Sequence, residues 1–141
     1  MYLLDTNVLS ELRRAQRADA NVVDWAARTP AASFWISVIS VLEIELGVLR
    51  IERGDAVQGA QLRKWLEGQV LRSFEQRILP VDVNVARRAA ALHVPDPRAD
   101  RDALIAATAL VHGMTVITRN VVDFEATGVP LVDPWMPRGG E

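Results

Sequence analysis

The first twelve residues, MYLLDTNVLSEL, limit the possible fold more than any other stretch of the chain. The apolar run Tyr2-Leu3-Leu4 stops at Asp5, and a helical pattern of apolar residues begins directly after this aspartate. A strand this short and this apolar is typical of the middle of a parallel sheet that is covered on both faces. Because ligands bind beyond the carboxyl ends of such strands, Asp5 is a candidate site residue. Aspartate is also a preferred helix N-cap, and this stretch alone does not separate the two roles.

The rest of the chain repeats the alternation of short apolar strands and helices. Pro80 in the third predicted strand places that strand at a sheet edge, and the helix over 100–112 has almost no polar face, which predicts burial. The alternation predicts an α/β domain with right-handed crossovers. The other predicted strands cover 34–37, 78–81, 115–118 and 131–132, and the predicted helices run to about Arg14 and over 21–27, 40–53, 55–74, 84–92 and 100–112.

Length and composition predict one domain with one core. The chain has 141 residues, half of them apolar, and we expect the domain to cover 1–136, with a loose tail over 137–141. The sequence has no cysteine, which excludes disulfides and thiolate metal sites. The start of the sequence lacks a signal-peptide pattern, and the longest apolar run, 103–111, is shorter than the roughly 20 residues that cross a bilayer. We therefore expect a cytoplasmic protein with no membrane partner.

The charge of the chain does not suggest a general nucleic-acid binder. The formal net charge is −2, whereas such binders carry strongly basic surfaces. Of the sixteen basic residues only Lys64 is a lysine. The planar fork of arginine matches phosphate geometry, although a skewed genome composition explains this bias equally well.

Three further acids lie where a predicted strand ends or a predicted helix begins: Glu43 near the start of the helix after the second strand, Asp102 in the first turn of the apolar helix, and Asp123 shortly after the fourth strand. Each also has a structural explanation: Glu43 as the partner of Ser40 in a capping box, Asp102 as a macrodipole partner in a helix capped by Asp100, and Asp123 as a loop residue. Together, however, the acids would meet at one sheet edge. Two like charges about 4 Å apart repel by about 4 kcal/mol at an effective dielectric constant of 20, so we predict a cation among them.

The chemistry of these ligands favours Mg²⁺ or Mn²⁺. Carboxylate oxygens suit such hard ions, while His93 and His112 lack ligand spacing and are interpreted as ordinary helix residues. One such ion, or a pair, can activate water for the hydrolysis of a phosphodiester. The spacing leaves the number of ions open.

Four fragments in this order, LLDTNVLSEL, SVISVLEIELGV, DALIAATAL and ITRNVVDF followed by GVPLVDPW, resemble PIN-domain proteins of the VapC toxin family, close to its FitB-type branch. The resemblance implies a three-layer α/β/α sandwich around a central, mostly parallel sheet of about five strands. Strand one would be central, and strands three and five would lie at the edges. The resemblance also implies a Mg²⁺- or Mn²⁺-dependent endoribonuclease that acts as the toxin of a type II toxin–antitoxin system.

The resemblance assigns roles to eight residues. The family's principal metal ligands match Asp5 and Asp102, and the acids that complete the pocket match Glu43 and Asp123. In this mechanism a metal-bound water attacks the RNA phosphodiester, and Glu43 or Asp123 orients it. Supporting positions of the family motif match Thr6, Asn7, Thr118 and Arg119. The two threonine hydroxyls are candidates to orient a carboxylate, and Arg119 is either a phosphate contact or a plain surface residue.

The resemblance further implies a homodimer and a cognate VapB-like antitoxin, whose C-terminal segment would place an arginine in the acidic pocket. Promoter DNA would then be bound only through the antitoxin. Apolar positions around Trp65 and over 46–51 fit a partner surface, but core packing explains them equally well.

Two other phosphate-handling folds fit less well. A phosphotransferase of the haloacid-dehalogenase type would need an acid at the position of Asn7. Both this enzyme and a response-regulator receiver would also need a lysine at the site, but the one lysine, Lys64, lies in a helical stretch with no site residues around it. A PIN-fold partner in a DNA-bound regulatory complex, with little nuclease activity of its own, remains the alternative function.

Overall fold

The computed structural model describes residues 1–14 and 16–137, which form a five-stranded, all-parallel sheet in the order β3-β2-β1-β4-β5. The central position of β1 and the edge positions of β3 and β5 are confirmed. Strand β3 is shorter than predicted and ends just before Pro80, which cannot donate a ladder hydrogen bond. The strands are β1 (Tyr2–Leu4), β2 (Phe34–Ser37), β3 (Ile78–Leu79), β4 (Thr115–Ile117) and β5 (Leu131–Val132).

The helices lie close to their predicted positions. They are α1 (Thr6–Leu12), α2 (Ala20–Arg28), α3 (Val38–Gly54), α4 (Ala56–Trp65), α5 (Leu71–Ser73), α6 (Val83–Leu92), α7 (Asp100–His112) and α8 (Val121–Phe124). The single helix predicted over 55–74 is interrupted, because a π-helical turn (Leu66–Val70) joins α4 to α5. Short 3₁₀ turns cover Ala31–Ser33 and Glu125–Thr127.

Two predicted helix caps are wrong. Helix α3 is capped by Ser37, whose hydroxyl accepts from the Ile39 N–H at 3.0 Å, so Ser40 lies inside the first turn and forms no capping box with Glu43. In helix α7 the N-cap position is occupied by Ala99, which makes no side-chain capping bond, and Asp100 is the first helical residue. Ser37 is also the last residue of β2 and pairs with Leu79 of β3. Helix α3 begins directly after this pair, which places Ser37 at its N-cap position.

Helices cover both faces of the sheet, which confirms the three-layer α/β/α sandwich. Consecutive residues of β1 point to opposite sides, so Leu4 packs with residues of α1 and α3, while Leu3 packs with residues of α7 and α8. Both leucines are essentially inaccessible to solvent. Burial of each contributes about 2 to 3 kcal/mol and fixes the point where the strand ends at Asp5.

Helix α7 is buried along most of its length, as predicted, but not on all sides. Ala103, Ala106 and Ala107 are fully inaccessible, whereas Val111 near its end is 38% exposed. The helix ends at Gly113, whose φ of 66° is the left-handed conformation that glycine adopts at low cost.

Within the described ranges, none of the helices is long and apolar enough to cross a membrane. The predicted tail over 137–141 lies outside the described residues except for Pro137, which belongs to neither a helix nor a strand.

Candidate active site

Three of the four predicted acids line one cleft at the carboxyl end of the sheet. Asp5 follows β1, Glu43 lies in the second turn of α3, and Asp102 lies in the first turn of α7. The cleft has a volume of about 480 Å³. Its lining residues are Asp5, Thr6, Asn7, Ser10, Glu11, Glu43, Asp102, Arg119, Asn120 and Trp135.

The carboxylate of Asp5 is buried and held by two hydrogen bonds. Its Oδ1 accepts from the Thr6 N–H at 2.8 Å, which makes Asp5 the N-cap of α1, and its Oδ2 accepts from the Thr118 hydroxyl at 2.8 Å. Burial raises the pKa of Asp5; the two hydrogen bonds oppose this rise, while the charges of Glu43 and Asp123 add to it. The N-cap and site interpretations of Asp5 are therefore compatible, because the cap fixes the direction of the carboxylate.

Glu43 is anchored by the residue that follows Asp5. The Thr6 hydroxyl donates to Glu43 Oε1 at 2.7 Å and lies 3.0 Å from Ser40 Oγ. On the other side, Arg101 Nη1 lies 3.7 Å from Glu43 Oε2. Thr6 and Thr118 thus each hold one acid, as predicted for their hydroxyl groups.

Asp102 experiences the electrostatics of the whole cluster. Burial, and after it the charges of Asp5, Asp123 and Glu43 in that order of importance, together raise the pKa of Asp102 to about 6. These acids therefore interact, and ionising all of them is costly without a compensating positive charge.

Asp123 lies beside the cleft and does not line it. It is an exposed residue of α8, not the loop residue that its structural explanation assumed. Its charge nevertheless raises the pKa of both Asp5 and Asp102. The structure thus brings three acids together in the cleft and leaves the fourth within electrostatic reach.

The supporting residues also meet at this cleft. The Asn7 amide donates to Thr118 Oγ1 at 3.3 Å and to Asp5 Oδ2 at 3.4 Å, and its Oδ1 accepts from the Arg119 N–H at 3.4 Å. The Arg119 guanidinium lies 5.3 Å from the ring centre of Trp135. This stacking restricts the guanidinium at the edge of the acidic cleft.

The donor chemistry suits a hard cation, but no closed ligand set is formed by side chains alone. In residues 1–14 and 16–137, no group of three acidic or histidine side chains converges closely enough to hold an ion. The available donors are carboxylate and hydroxyl oxygens, which Mg²⁺ and Mn²⁺ prefer. Burial, and to a lesser extent repulsion among the acids, raises the pKa values of Asp5 and Asp102, and a nearby cation would favour their charged forms. The residues therefore fit a site completed by water or substrate oxygens.

Neither histidine is among the residues that line this cleft. His93 ends α6; its Nδ1 accepts from the Arg98 N–H at 3.2 Å, and its Nε2 lies 3.5 Å from Asp100 Oδ1. His112 is the last residue of α7, at the opposite end from Asp102.

The sequence interpretation missed four lining residues: Ser10, Glu11, Asn120 and Trp135. Ser10 and Glu11 follow Asn7 at i+3 and i+4, a helical spacing that places all three on one face of α1. Trp135 lies three residues after the end of β5, a strand whose carboxyl end faces the same edge of the sheet. Asn120 follows Thr118 and donates its backbone N–H to the Thr118 hydroxyl at 3.0 Å.

Comparison with known proteins places this cleft in a family. The PIN domain family matches residues 2–129. The chain is 36% identical to "VapC ribonuclease Y4jK" of Sinorhizobium fredii, with 97% of this chain and 99% of the relative covered. It is 38% identical to "Toxin FitB" of Neisseria gonorrhoeae, with 96% and 99% covered.

A solved structure shows the same architecture. "Structure of FitAB bound to IR36 DNA fragment" matches with a TM-score of 0.86 and 36% identity, and the match covers 96% of each chain. Full-length similarity in sequence and in fold confirms the resemblance drawn from the four fragments. The chain therefore belongs to the PIN-domain family and, within it, to the group of VapC and FitB toxins.

Proposed function

We propose that this protein is the toxin of a type II toxin–antitoxin system and that it is an endoribonuclease that hydrolyses RNA phosphodiester bonds with a divalent metal ion. The observation that carries the proposal is that Asp5, Glu43 and Asp102 line one cleft. The names of its full-length relatives, a ribonuclease and a toxin, support both halves of the proposal.

The metal would be held by Asp5 and Asp102, with Glu43 and Asp123 completing its surroundings. When bound, a Mg²⁺ ion, or Mn²⁺ in its place, makes a water molecule more acidic and stabilises negative charge on the phosphate. The raised pKa of Asp102 supports this assignment, since a nearby cation favours the charged carboxylate.

The other residues position the reactants. Thr118 fixes Asp5 and Thr6 fixes Glu43, so both carboxylates keep one orientation. Glu43 orients the attacking water and accepts its proton as the water oxygen bonds to phosphorus. The P–O bond to the leaving ribose oxygen breaks, and that oxygen takes a proton from solvent water. Arg119, restricted by Trp135, binds a non-bridging oxygen of the RNA phosphate.

The proposed partners follow from the family. A cognate VapB-like antitoxin would block the cleft by placing an arginine among the acids, and promoter DNA would be bound only through that antitoxin. We also propose that the toxin is a homodimer and acts in the cytoplasm, where its RNA substrate lies.

The direct test is cleavage of a total cellular RNA pool by purified, antitoxin-free protein with Mg²⁺, with Mn²⁺ and with chelator. Asp5→Asn is the variant expected to be inactive. Its matched control is Asp96→Asn, which changes an exposed aspartate that does not line the acidic cleft. We expect discrete fragments that require metal, disappear with Asp5→Asn and persist with Asp96→Asn. Equal cleavage by both variants would exclude this cleft as the active site.

A second candidate function is that of a PIN-fold partner in a DNA-bound regulatory complex. The related FitAB assembly was solved bound to DNA, which favours considering this role. If the folded, metal-binding protein cleaves no RNA but is needed together with the antitoxin for promoter binding, the regulatory function replaces the nuclease.

A further inference from the structure

A second cleft, rich in arginine, adjoins the acidic one. It has a volume of about 410 Å³ and shares Ser10 and Glu11 with the acidic cleft, so the two clefts are adjacent along α1. We call the group Arg13, Arg14 and Arg17 the arginine cluster; these residues line this cleft and a neighbouring one of about 560 Å³. The remaining lining residues of the two clefts are Gln16, Ile51, Gln58, Gln61, Leu62 and Trp65.

The arginine cluster lacks acidic partners within the described part of the chain. The ion pairs found there, within a 4.0 Å limit, involve Arg28, Arg63, Arg101 and His93. Glu11, the acid in the shared wall, accepts the Asp19 N–H at 2.6 Å through Oε2. The cluster therefore presents guanidinium groups that are available to an external anion.

Arg13 is also constrained. Its guanidinium lies 5.8 Å from the ring centre of Trp65, and burial, followed by the charge of Arg14, lowers the pKa of Arg13. Neighbouring like charges in a partly desolvated cleft repel one another, and an anion bound between them would relieve that repulsion.

Helix α1 connects the two charge clusters directly. Asp5 caps its N-terminus and Arg13 caps its C-terminus. At a rise of 1.5 Å per residue, the helix separates them by roughly 12 Å. A single strand of RNA whose phosphate lies at Asp5 therefore reaches the arginine cluster within a few nucleotides.

We propose that the arginine cluster binds the backbone phosphates of single-stranded RNA on one side of the bond that is cut, an assignment that rests on the proposed nuclease function. The chain has a net charge of −2 and an acidic active cleft, so it needs a local positive surface to hold a polyanion there. Guanidinium forks bind phosphate in a bidentate manner. The glutamines supply amide groups beside this path, and Trp65 holds the guanidinium of Arg13 there.

The position of the arginine cluster next to the acidic cleft favours RNA over an acidic protein segment. A protein anion could bind the arginines alone, whereas a substrate must occupy both clefts at once. Ser10 and Glu11 line both clefts, so one strand that passes these two residues contacts both clefts.

The test compares two triple variants in the Asp5→Asn background, so that RNA is bound without being cut. The first is Arg13→Gln/Arg14→Gln/Arg17→Gln. The control, Arg72→Gln/Arg87→Gln/Arg88→Gln, removes the same charge from exposed arginines elsewhere. The probe is a fluorescently labelled oligouridylate, and its dissociation constant is measured over a series of salt concentrations.

We expect the first variant to bind the probe roughly tenfold more weakly than the control. The slope of log K against log salt should also fall in magnitude by about 2, since each of the three phosphate contacts on a single strand contributes about 0.7. Equal affinity and equal slope for both variants would overturn the proposal. Unchanged RNA binding with weakened binding of the antitoxin would overturn it in favour of a protein-binding cleft.

Two further measurements separate the possible failures. Should the triple variant not fold, Arg14→Gln/Arg17→Gln leaves the packing of Arg13 on Trp65 intact, and the same comparison applies to it. Cleavage of cellular RNA by the protein with Asp5 intact is assayed alongside. If that cleavage is present but the arginine variant binds RNA normally, only the arginine assignment fails; if cleavage is absent, the proposed function itself fails.

Discussion

The Thr118 hydroxyl, one residue beyond β4, donates a 2.8 Å hydrogen bond to Asp5 Oδ2, one residue beyond β1. The two strands are neighbours, with Leu4 of β1 paired to Ile117 of β4, so their ends bring these side chains together. Each residue is buried. The parallel register of the central sheet therefore determines the orientation of the first carboxylate of the site.

Removing this hydrogen bond should impair catalysis more than folding. We expect Thr118→Val to lower kcat/KM for RNA cleavage by about 10- to 100-fold, the usual effect of losing a partner that orients a metal ligand. The substitution should also raise the pKa of Asp5, because the hydrogen bond from Thr118 lowers this pKa in the unmodified protein. Thr29→Val, which removes a hydroxyl bonded to the Trp25 carbonyl, is the control and should cleave normally. Full activity in Thr118→Val would contradict the role of this contact.

Protonation of Asp102 should stabilise the metal-free protein at low pH. In the folded state its pKa is raised from 3.8 to about 6, so the folded protein binds more protons than the unfolded chain between these values. The stabilisation is fully present below pH 3.8 and is lost as the pH rises through 6. We expect Asp102→Asn to be more stable than the unmodified protein at pH 8 by about 1 kcal/mol, after allowance for solvent screening of a partly exposed group.

The measurement is the free energy of unfolding in denaturant at several pH values, with chelator present. The difference between the two proteins should shrink as the pH falls from 8 to 5. An Asp102→Asn variant that is less stable than the unmodified protein at every pH would mean that Asp102 contributes to folding mainly through its position in the first turn of α7.

Divalent cations should stabilise the folded protein through the same acids. At a hundredfold excess over its Kd, an ion that binds only the folded state adds about 2.7 kcal/mol. We expect Mg²⁺ or Mn²⁺ to raise Tm at pH 8 in the unmodified protein and in Asp96→Asn, and much less in Asp5→Asn. If Asp5→Asn and Asp96→Asn respond equally to the ions, the cation binds elsewhere.

The close contact between α3 and α4 makes a separate prediction about the fold. A Cβ atom added at Gly59 would lie 2.6 Å from Glu52 Cγ and 2.8 Å from its Cα, so Gly59→Ala should cost about 1 to 3 kcal/mol of stability. Gly47 in α3 has nothing within 4 Å of such an atom, and Gly47→Ala should stabilise by about 1 kcal/mol through helix propensity. Urea unfolding of both variants measures the two effects, and a stabilising Gly59→Ala would contradict the packing described.

The sequence predicted the strands well because each is a short apolar run that ends at polar residues or, in β3, at Pro80. Asp5, Glu43, Asp102 and Asp123 could be chosen because they follow strands or begin helices, and the topology brings such positions to one end of the sheet. The boundary of α3 was mistaken because Ser37 and Ser40 both precede apolar helical positions, and only the pairing of β2 with β3 selects the first serine.

Other features depend on contacts between distant segments. The apolar spacing over 62–74 continues through the π-helical turn, so the sequence does not reveal that interruption. The arginine cluster could not be recognised from the sequence, because its cleft forms only where α4 lies beside the end of α1. Trp135 became a site residue only when β5 was placed next to β4.

The central claim is that water, activated in the acidic cleft, hydrolyses RNA. We would measure it by cleaving an RNA oligonucleotide with Mg²⁺ in water labelled with heavy oxygen and analysing the products by mass spectrometry, with Asp5→Asn and Asp96→Asn in parallel. We expect the label on the terminal phosphate formed in the first cut by the unmodified protein and by Asp96→Asn, and no product from Asp5→Asn. Unlabelled cyclic phosphate ends, or cleavage that survives Asp5→Asn, would contradict the account.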